Sequence, residues 1–391
     1  VRWITFIING PQGDLVMVGK TIATLQRNVL NDIRDLVGEK NFHWVNRQQG
    51  ELLLFGRRVY CMGATNEGAE AKIRGATIAG AYCDEANLYP ESFFAQLMAR
   101  MSVEGASCFC NCNPDSPYHW FYTGYIMNAG IVNKKVWHFT MDDNPNLPTE
   151  YMESLKQMYF GVFYKRYILG LWVIAEGMIY DMFKVDDHVK ALPIPTYKNK
   201  DELVLRYGND ILNDPVIAFI VGCDYGTSTV MSWSLMACFR SGRMYKRAEY
   251  YYDVSKQTVP TQKTDGEFLI DFQNWLAGFP EIDDCGGVRM VYVDPSASSW
   301  KLELLRAGYI VANADNDVIN GIRVVGNMLQ KGMYVIDPSC TNTVQEYSSY
   351  AWDATASSMG IDRPLKIHDH ACDSDRYAIY TYAKNSLSGV Y

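Results

Sequence analysis

Apolar residues in the first half of the chain come as short runs that alternate with stretches of helical periodicity. Residues 14–18 (DLVMV) read as a strand, and residues 24–36 as a helix with Leu25, Val29, Ile33 and Leu36 on one face. Residues 52–55 and 58–62 predict a hairpin around Gly56 and Arg57. The small-residue run 77–83 (TIAGAYC) predicts a strand that ends directly on Asp84 and Glu85. A helix over 90–100 follows, then a strand over 107–112 that delivers Asn113 and Pro114. A strand over 136–139, a turn rich in Pro and Asn over 142–148 and a helix over 149–160 complete this half. Such alternation is the pattern of an α/β fold with a mainly parallel sheet.

The second half opens with the strand 216–224 (VIAFIVGCD). Strands over 230–239 and 244–252 meet at the Ser241-Gly242 turn, and a short glycine turn between two strands makes a hairpin. A helix (267–276), a strand (288–293) ending on Asp294, a helix (298–307), a strand (309–312), a helix (318–329) and a strand (333–336) follow. The tail places Asp369, His370, Asp373 and Asp375 at a helix start, where carboxylates are favoured. Between residues 185 and 209 prolines, lysines and mixed charge replace the periodic pattern. The predicted organisation is therefore a domain over 1–190, a linker over 191–210 and a second domain over 211–391.

Composition narrows the class. With 391 residues, 48% hydrophobic and 20% charged, the chain has core material for two globular domains and is not disordered. No apolar run approaches the roughly 18 residues of a membrane span. Ten cysteines form no CxxC pair and lack zinc-site spacing, so they read as buried thiols in a reducing cytoplasm. The net charge of -8 argues mildly against nucleic acid as a partner, but a basic channel can coexist with an acidic exterior.

An apolar strand running into Asp84-Glu85 suits an NTPase, an ordinary solvated acidic turn being the plainer alternative. The first carboxylate is fixed near Mg²⁺, and the second can orient and deprotonate the attacking water. Asn113, at the end of a neighbouring parallel strand, is placed to sense the γ-phosphate; an Asx-turn closed by Pro114 is the plainer alternative. Val18-Gly19-Lys20-Thr21 resembles the end of a phosphate-binding loop, yet Asp14 occupies the position of the first required glycine and strand formers fill the interval. It is read as a strand end. Lys72 and Arg74, just upstream of the acidic strand end, are candidate phosphate or DNA contacts, or an ordinary solvated surface.

In the second half, Asp224 and Asp294 end two strongly apolar strands. In an RNase H-like sheet these would be parallel neighbours, and two adjacent carboxylates repel unless cations bridge them. Asp373 on the last helix could complete a cluster for two Mg²⁺ or Mn²⁺ ions about 4 Å apart, with His370 on the same helical face; Asp369 and Asp375 remain alternatives for the third ligand, and ordinary capping aspartates are the plainer reading of all three. Arg240, Arg243, Lys246 and Arg247 cluster around the hairpin turn. Lys256 and Lys263 follow, with Tyr250, Tyr251 and Tyr252 between the two groups. A basic arm with aromatic rings can track a phosphate backbone, or be an ordinarily solvated hairpin.

These segments together resemble the large terminase subunits of tailed double-stranded DNA bacteriophages, closest to the group found in phages and prophages of Gram-positive hosts. The resemblance is carried by VGKTIATLQRNVL (18–30), FGRRVYCMGATNEGAEAKIRGATIAGAYCDEANLYP (55–90), NCNPDSPYHW (111–120), WHFTMDDNPNLP (137–148) and YKRYILGLWVIAEGMIYDMF (164–183). CDYGTS (223–228), VYVDPSA (291–297) and DHACDSDRY (369–377) extend it more loosely. It implies that Asp84 and Glu85 are a Walker B pair and that Asn113 belongs to the ATPase-coupling motif. It makes Asp224, Asp294 and Asp373 a nuclease triad with His370 beside it. It further implies ATP-driven packaging of viral DNA into a procapsid and endonucleolytic cutting of the concatemer. The implied partners are a small terminase subunit, the portal ring and further copies of the chain, and the implied place is the host cytoplasm, transiently at the portal. One departure stands out. The glycine-rich Walker A loop is missing, and residues 2–8 look like the end of the helix that should follow it. The expected fold is therefore an N-terminally truncated P-loop NTPase-type sheet followed by an RNase H-like nuclease domain, with ATPase activity in doubt. A helicase-like ATPase, an RNase H-like recombination nuclease and a structural capsid or portal protein are the competing readings.

Overall fold

Strand β1 (Asp14–Gly19) is buried at five of its six positions, which is why it reads as a continuous apolar run. In the computed structural model it lies in a six-stranded sheet with β2 (Phe42–Asn46), β3 (Glu51–Leu54), β4 (Arg57–Gly63), β5 (Ile78–Cys83) and β6 (Ser107–Cys110), in the order β2-β3-β4-β1-β5-β6. β1 runs parallel to β4 and β5, and β5 parallel to β6, whereas β2, β3 and β4 are antiparallel. The structure describes all residues except 129, 132, 197, 227–228, 258–261 and 389–391. Residues 227 and 228 of the CDYGTS segment thus lie outside the described residues, as does residue 197 of the expected linker.

The β3–β4 hairpin turns on Phe55 (φ 52°) and Gly56 (φ 76°), both left-handed, the geometry that matches strand twist in tight hairpins. The helix expected over 24–36 is interrupted. Helix Ile22–Leu25 passes into a wide π turn, Gln26–Leu30, before helix Asn31–Val37. Residues 136–139 form no strand, and Trp137 is exposed with the Arg2 guanidinium 4.4 Å above its ring.

A second six-stranded sheet contains β7 (Val216–Asp224), β8 (Val230–Phe239), β9 (Met244–Asp253), β10 (Val288–Val293), β11 (Val311–Asn313) and β12 (Tyr334–Ile336). Their order is β11-β10-β7-β8-β9-β12; β7, β8 and β9 are antiparallel, and β10 is parallel to β7 and β11. All ten positions of β8 are buried because apolar clusters cover both faces of the sheet. Helix His370–Ser388 crosses β7 so closely that a Cβ on Gly222 would meet the Ser374 carbonyl at 2.0 Å. A side chain there would push the helix, and with it Asp373, away from the sheet.

The chain divides into two compact units: Val1–Thr140 with Gly170–Val173, and Met141–Leu169 with Ile174–Tyr391. Residues 141–169 and 174–190, which the sequence pattern placed with the first domain, pack with the second unit. Phe160, for example, fills the space over Gly326. Among the described residues no helix is long and apolar enough to cross a membrane.

Candidate functional sites

The first site sits where β5 leaves the sheet. The Asp84 amide donates to the Val18 carbonyl (2.9 Å), so the sheet pairing continues one residue past the strand and fixes the carboxylate at its tip. Asp84 is buried, and its oxygens accept from the amides of Asn111 (3.0 Å) and Asn28 (3.5 Å). Glu85 follows in the left-handed region (φ 55°, ψ 52°), uncommon for a non-glycine residue and enriched at functional sites. Its backbone amide donates to Asn111 Oδ1 at 2.6 Å, so one asparagine side chain clamps both acidic residues. Burial, then the Asp84 charge, push the Glu85 carboxyl above its ordinary range, against the opposing pull of Arg27 and Lys20.

Asn111 occupies the place that the sequence reading gave to Asn113. β6 ends at Cys110, so Asn111 is the first residue beyond the strand, and Asn113 lies two residues further along as an exposed loop residue. Asn28 was not anticipated either. It is carried by the π turn, whose extra residue per turn re-aims the side chain toward Asp84. Gly19-Lys20-Thr21 closes β1; Thr21 and Thr24 form a capping box, and Lys20 Nζ donates to the Leu88 carbonyl (3.1 Å). Lys72 donates to the Gly63 carbonyl (3.0 Å), and Arg74 is exposed.

The second site lies at the carboxyl ends of β7 and β10. Their parallel register sets Val293 opposite Cys223, and the Asp294 amide donates to the Cys223 carbonyl (3.2 Å), so Asp224 and Asp294 leave the sheet side by side. The helix His370–Ser388 brings Asp373 to them, its start anchored by Glu346, which accepts the Ala371 and Cys372 amides at 2.7 and 3.1 Å. Each carboxylate has its own partners. Asp224 accepts from His370 Nδ1 (2.8 Å), and Asp294 accepts from Tyr377 Oη (2.8 Å) and from the Ser296 amide and hydroxyl (2.7 and 2.6 Å). Asp373 pairs with Arg376 (3.0 Å) and Lys366 (2.9 Å). Among the described residues the three carboxylates do not converge within 4.8 Å as one group.

Electrostatics separate the three. Burial, beyond what the His370 contact offsets, raises the Asp224 carboxyl. For Asp294 burial is outweighed by the Ser296 and Tyr377 hydrogen bonds, and its carboxyl is lowered. Burial would lower His370, but its bond to Asp224 and the surrounding carboxylates win and raise it. The residues fit a hard divalent cation: the donors are carboxylate oxygens, and the Lys366 ammonium already bridges Asp369 (2.8 Å) and Asp373 (2.9 Å) as a tethered positive charge. Asp369 therefore shares a cation with Asp373. Asp375 does not face this site: it is fully buried, accepting from Lys246 (2.6 Å), Tyr334 (2.5 Å) and Ser234 (2.5 Å).

That pairing corrects one expected DNA contact. Lys246 is not a surface cation; its ammonium is wholly buried with Asp375 and out of reach of a phosphate. Other basic residues of the arm are engaged as well. Arg243 pairs with Asp214 (3.3 Å), Arg247 with Glu281 (2.7 Å), Lys256 with Asp253 (3.7 Å), and Lys263 with Asp271 while lying 4.4 Å from the Tyr252 ring. Arg240 is exposed. A third cluster, the thiols of Cys83, Cys108 and Cys110, was missed because β5 supplies one member and β6 the others.

Two strand-end acidic sites in separate α/β units define a class of two-site proteins, and the comparisons place the chain within one family of them. A family model described as "Terminase large subunit, T4likevirus-type, N-terminal" matches residues 8–186. The crystal structure of the large terminase from a thermophilic bacteriophage is 36% identical, with a TM-score of 0.81 over 97% of this chain and 89% of that one. The same protein solved with ADP matches at TM-score 0.80 and 36% identity over 97% of this chain and 90% of that one. The terminase large subunit of Escherichia phage T5 is 22% identical over 277 residues, and the match spans 68% of this chain but only 56% of that protein's length. The chain belongs to the terminase large-subunit family.

These matches overturn the expectation of a truncated NTPase sheet with doubtful ATPase activity. A relative solved with ADP, and with ATP-gamma-S, is matched across 97% of this chain. The match to that relative takes in both α/β units of this chain.

Proposed function

We propose that this protein is a DNA-packaging motor and nuclease: ATP hydrolysis in the first unit drives double-stranded viral DNA into a procapsid, and the second unit cuts the concatemer. The observation that carries this is the pair of strand-end carboxylate sites, one per unit, each positioned by its own sheet. For the first site, the ADP- and ATP-gamma-S-bound structures of the thermophilic-phage relative support nucleotide binding.

In the ATPase site Asp84 is the residue to hold the Mg²⁺ of bound ATP, kept in place by Asn111 and Asn28. Glu85 orients and deprotonates the attacking water, and its raised pKa makes it a better base than an ordinary surface carboxylate. Asn111 ties the strand tip to both acids, so movement of one is felt by the other; Asn113 stays a candidate for contact further along the same loop.

In the nuclease site Asp224, Asp294 and Asp373 are the residues to hold Mg²⁺ or Mn²⁺, with His370 beside Asp224. Such ions activate water and stabilise the leaving oxygen when bound. Tyr377 and Ser296 keep Asp294 ionised and oriented. The strand order β9-β8-β7-β10-β11, with β8 antiparallel to its neighbours, supports an RNase H-like reading of this unit. Arg74, Lys72 and Arg240 are the basic residues placed best for phosphate; Arg243, Arg247 and Lys263 would have to exchange a carboxylate partner for it. The partners proposed are double-stranded DNA, a small terminase subunit, the portal protein and further copies of this chain, in the host cytoplasm and transiently at the portal.

The test is plasmid nicking by the purified protein titrated with Mn²⁺, beside ATP turnover by the same preparation. Both activities are expected, and Asp294→Ala should lose nicking alone. A folded protein that fails to nick in Mn²⁺ would sink the nuclease assignment, and one that cleaves equally well in chelator would sink its metal dependence.

A further inference from the structure

Cys83 on β5 stands opposite Cys110 on β6, and Ala81 opposite Cys108. Residues two apart on a strand share a face, so the three thiols project to the same side of the sheet. Their sulfurs lie within 4.8 Å of one another, with Cys108 Sγ and Cys110 Sγ 3.5 Å apart. A buried cysteine ordinarily serves as a small hydrophobe among carbon neighbours. Here three sulfurs face each other instead. Zinc–sulfur bonds of about 2.3 Å in a tetrahedral site put the sulfurs about 3.8 Å apart, so the observed spacing needs to close by no more than about 1 Å.

Access agrees with that geometry. Cys83 is buried, Cys108 half-buried and Cys110 exposed, which gives an ion a way in and leaves a fourth position open to water. We propose that Cys83, Cys108 and Cys110 form a three-thiolate site for a soft divalent cation of the zinc class. Each ligand releases its proton to solvent as the ion binds, and no redox change is involved. Cys83 immediately precedes Asp84, and Cys110 immediately precedes Asn111. A bound ion would staple together the two strand tips that form the ATPase site.

Co²⁺ is the probe, added to the reduced, metal-free protein and displaced afterwards by Zn²⁺. One equivalent of Co²⁺ should give a thiolate-to-cobalt charge-transfer band that Zn²⁺ bleaches; carboxylate-bound Co²⁺ gives no such band. Cys110→Ser and Cys108→Ser should each lose the band, whereas Cys285→Ser in the other unit should keep it. Circular dichroism establishes that each variant is folded, and exposed Cys110 is the substitution the fold tolerates best. The proposal is overturned by the absence of the band in the folded wild type, by its persistence in folded Cys110→Ser, or by its loss in folded Cys285→Ser.

Discussion

The two acidic sites are built in opposite ways. In the first unit the chemistry is nearly local: Asp84 and Glu85 are consecutive, and the asparagine that clamps them lies just past the end of the adjacent strand. In the second, Asp224, Asp294 and Asp373 come from three distant elements, and each arrives with its own partner. Adjacent carboxylates in a short segment can be held by backbone strain, as the left-handed Glu85 shows. Carboxylates gathered from distant strands need a scaffold: the Gly222 contact, the Glu346 anchor and the buried Lys246–Asp375 pair provide it.

The sharpest break in the comparison is Glu85→Ala. Losing a positioned general base should cut ATP turnover by about 10²–10⁴-fold while nucleotide still binds. Loss of binding together with turnover, read by nucleotide titration, would make Glu85 structural. Lys246→Ala should act on the other unit and on folding rather than chemistry. Removing one partner of a fully buried ion pair costs about 3–5 kcal/mol, so the thermal midpoint of the second unit should fall sharply. A small shift in melting accompanied by weaker DNA binding would restore Lys246 as a DNA contact.

Acidity distinguishes the sites next. His370 titrates above its ordinary value because Asp224 accepts its hydrogen bond. Its pairing therefore stabilises the metal-free protein below the unfolded pKa, and that stability is lost as pH rises through the raised folded value. Asp224→Asn should move the His370 midpoint, followed by NMR, downward, since burial then acts without the carboxylate; an unmoved midpoint would break the link. Asp294 has the opposite sign: its lowered pKa stabilises above the unfolded value, and the contribution is lost as pH falls through the folded one. The smallest effect concerns DNA. If Arg240 meets a phosphate, Arg240→Ala should lower the salt dependence of duplex binding by about one unit of slope. An unchanged slope would remove it from the interface.

The acidic strand ends were legible because an apolar run that stops on a carboxylate is visible in one segment. Pairing of the β7 and β10 ends followed only from the strand order expected of an RNase H-like sheet. Asn111 was not legible: placing it required knowing that β6 stops at Cys110, and strand ends are the least certain feature of a pattern. Asn28 depends on a π turn that no periodicity announces. Lys246 looked like one of several basic residues at a hairpin, because its partner Asp375 lies on a helix far along the chain. The thiol cluster was hidden for the same reason, since the register of β5 against β6 sets Cys83 beside the others.

Whether two chemically independent sites work in one chain is decided by measuring ATP turnover and Mn²⁺-dependent plasmid nicking on the same preparations of wild type, Glu85→Ala and Asp294→Ala. Complementary losses are expected: Glu85→Ala keeps nicking without ATP turnover, and Asp294→Ala keeps ATP turnover while nicking falls by about 10²–10³-fold. Loss of both activities in either folded variant would contradict that independence.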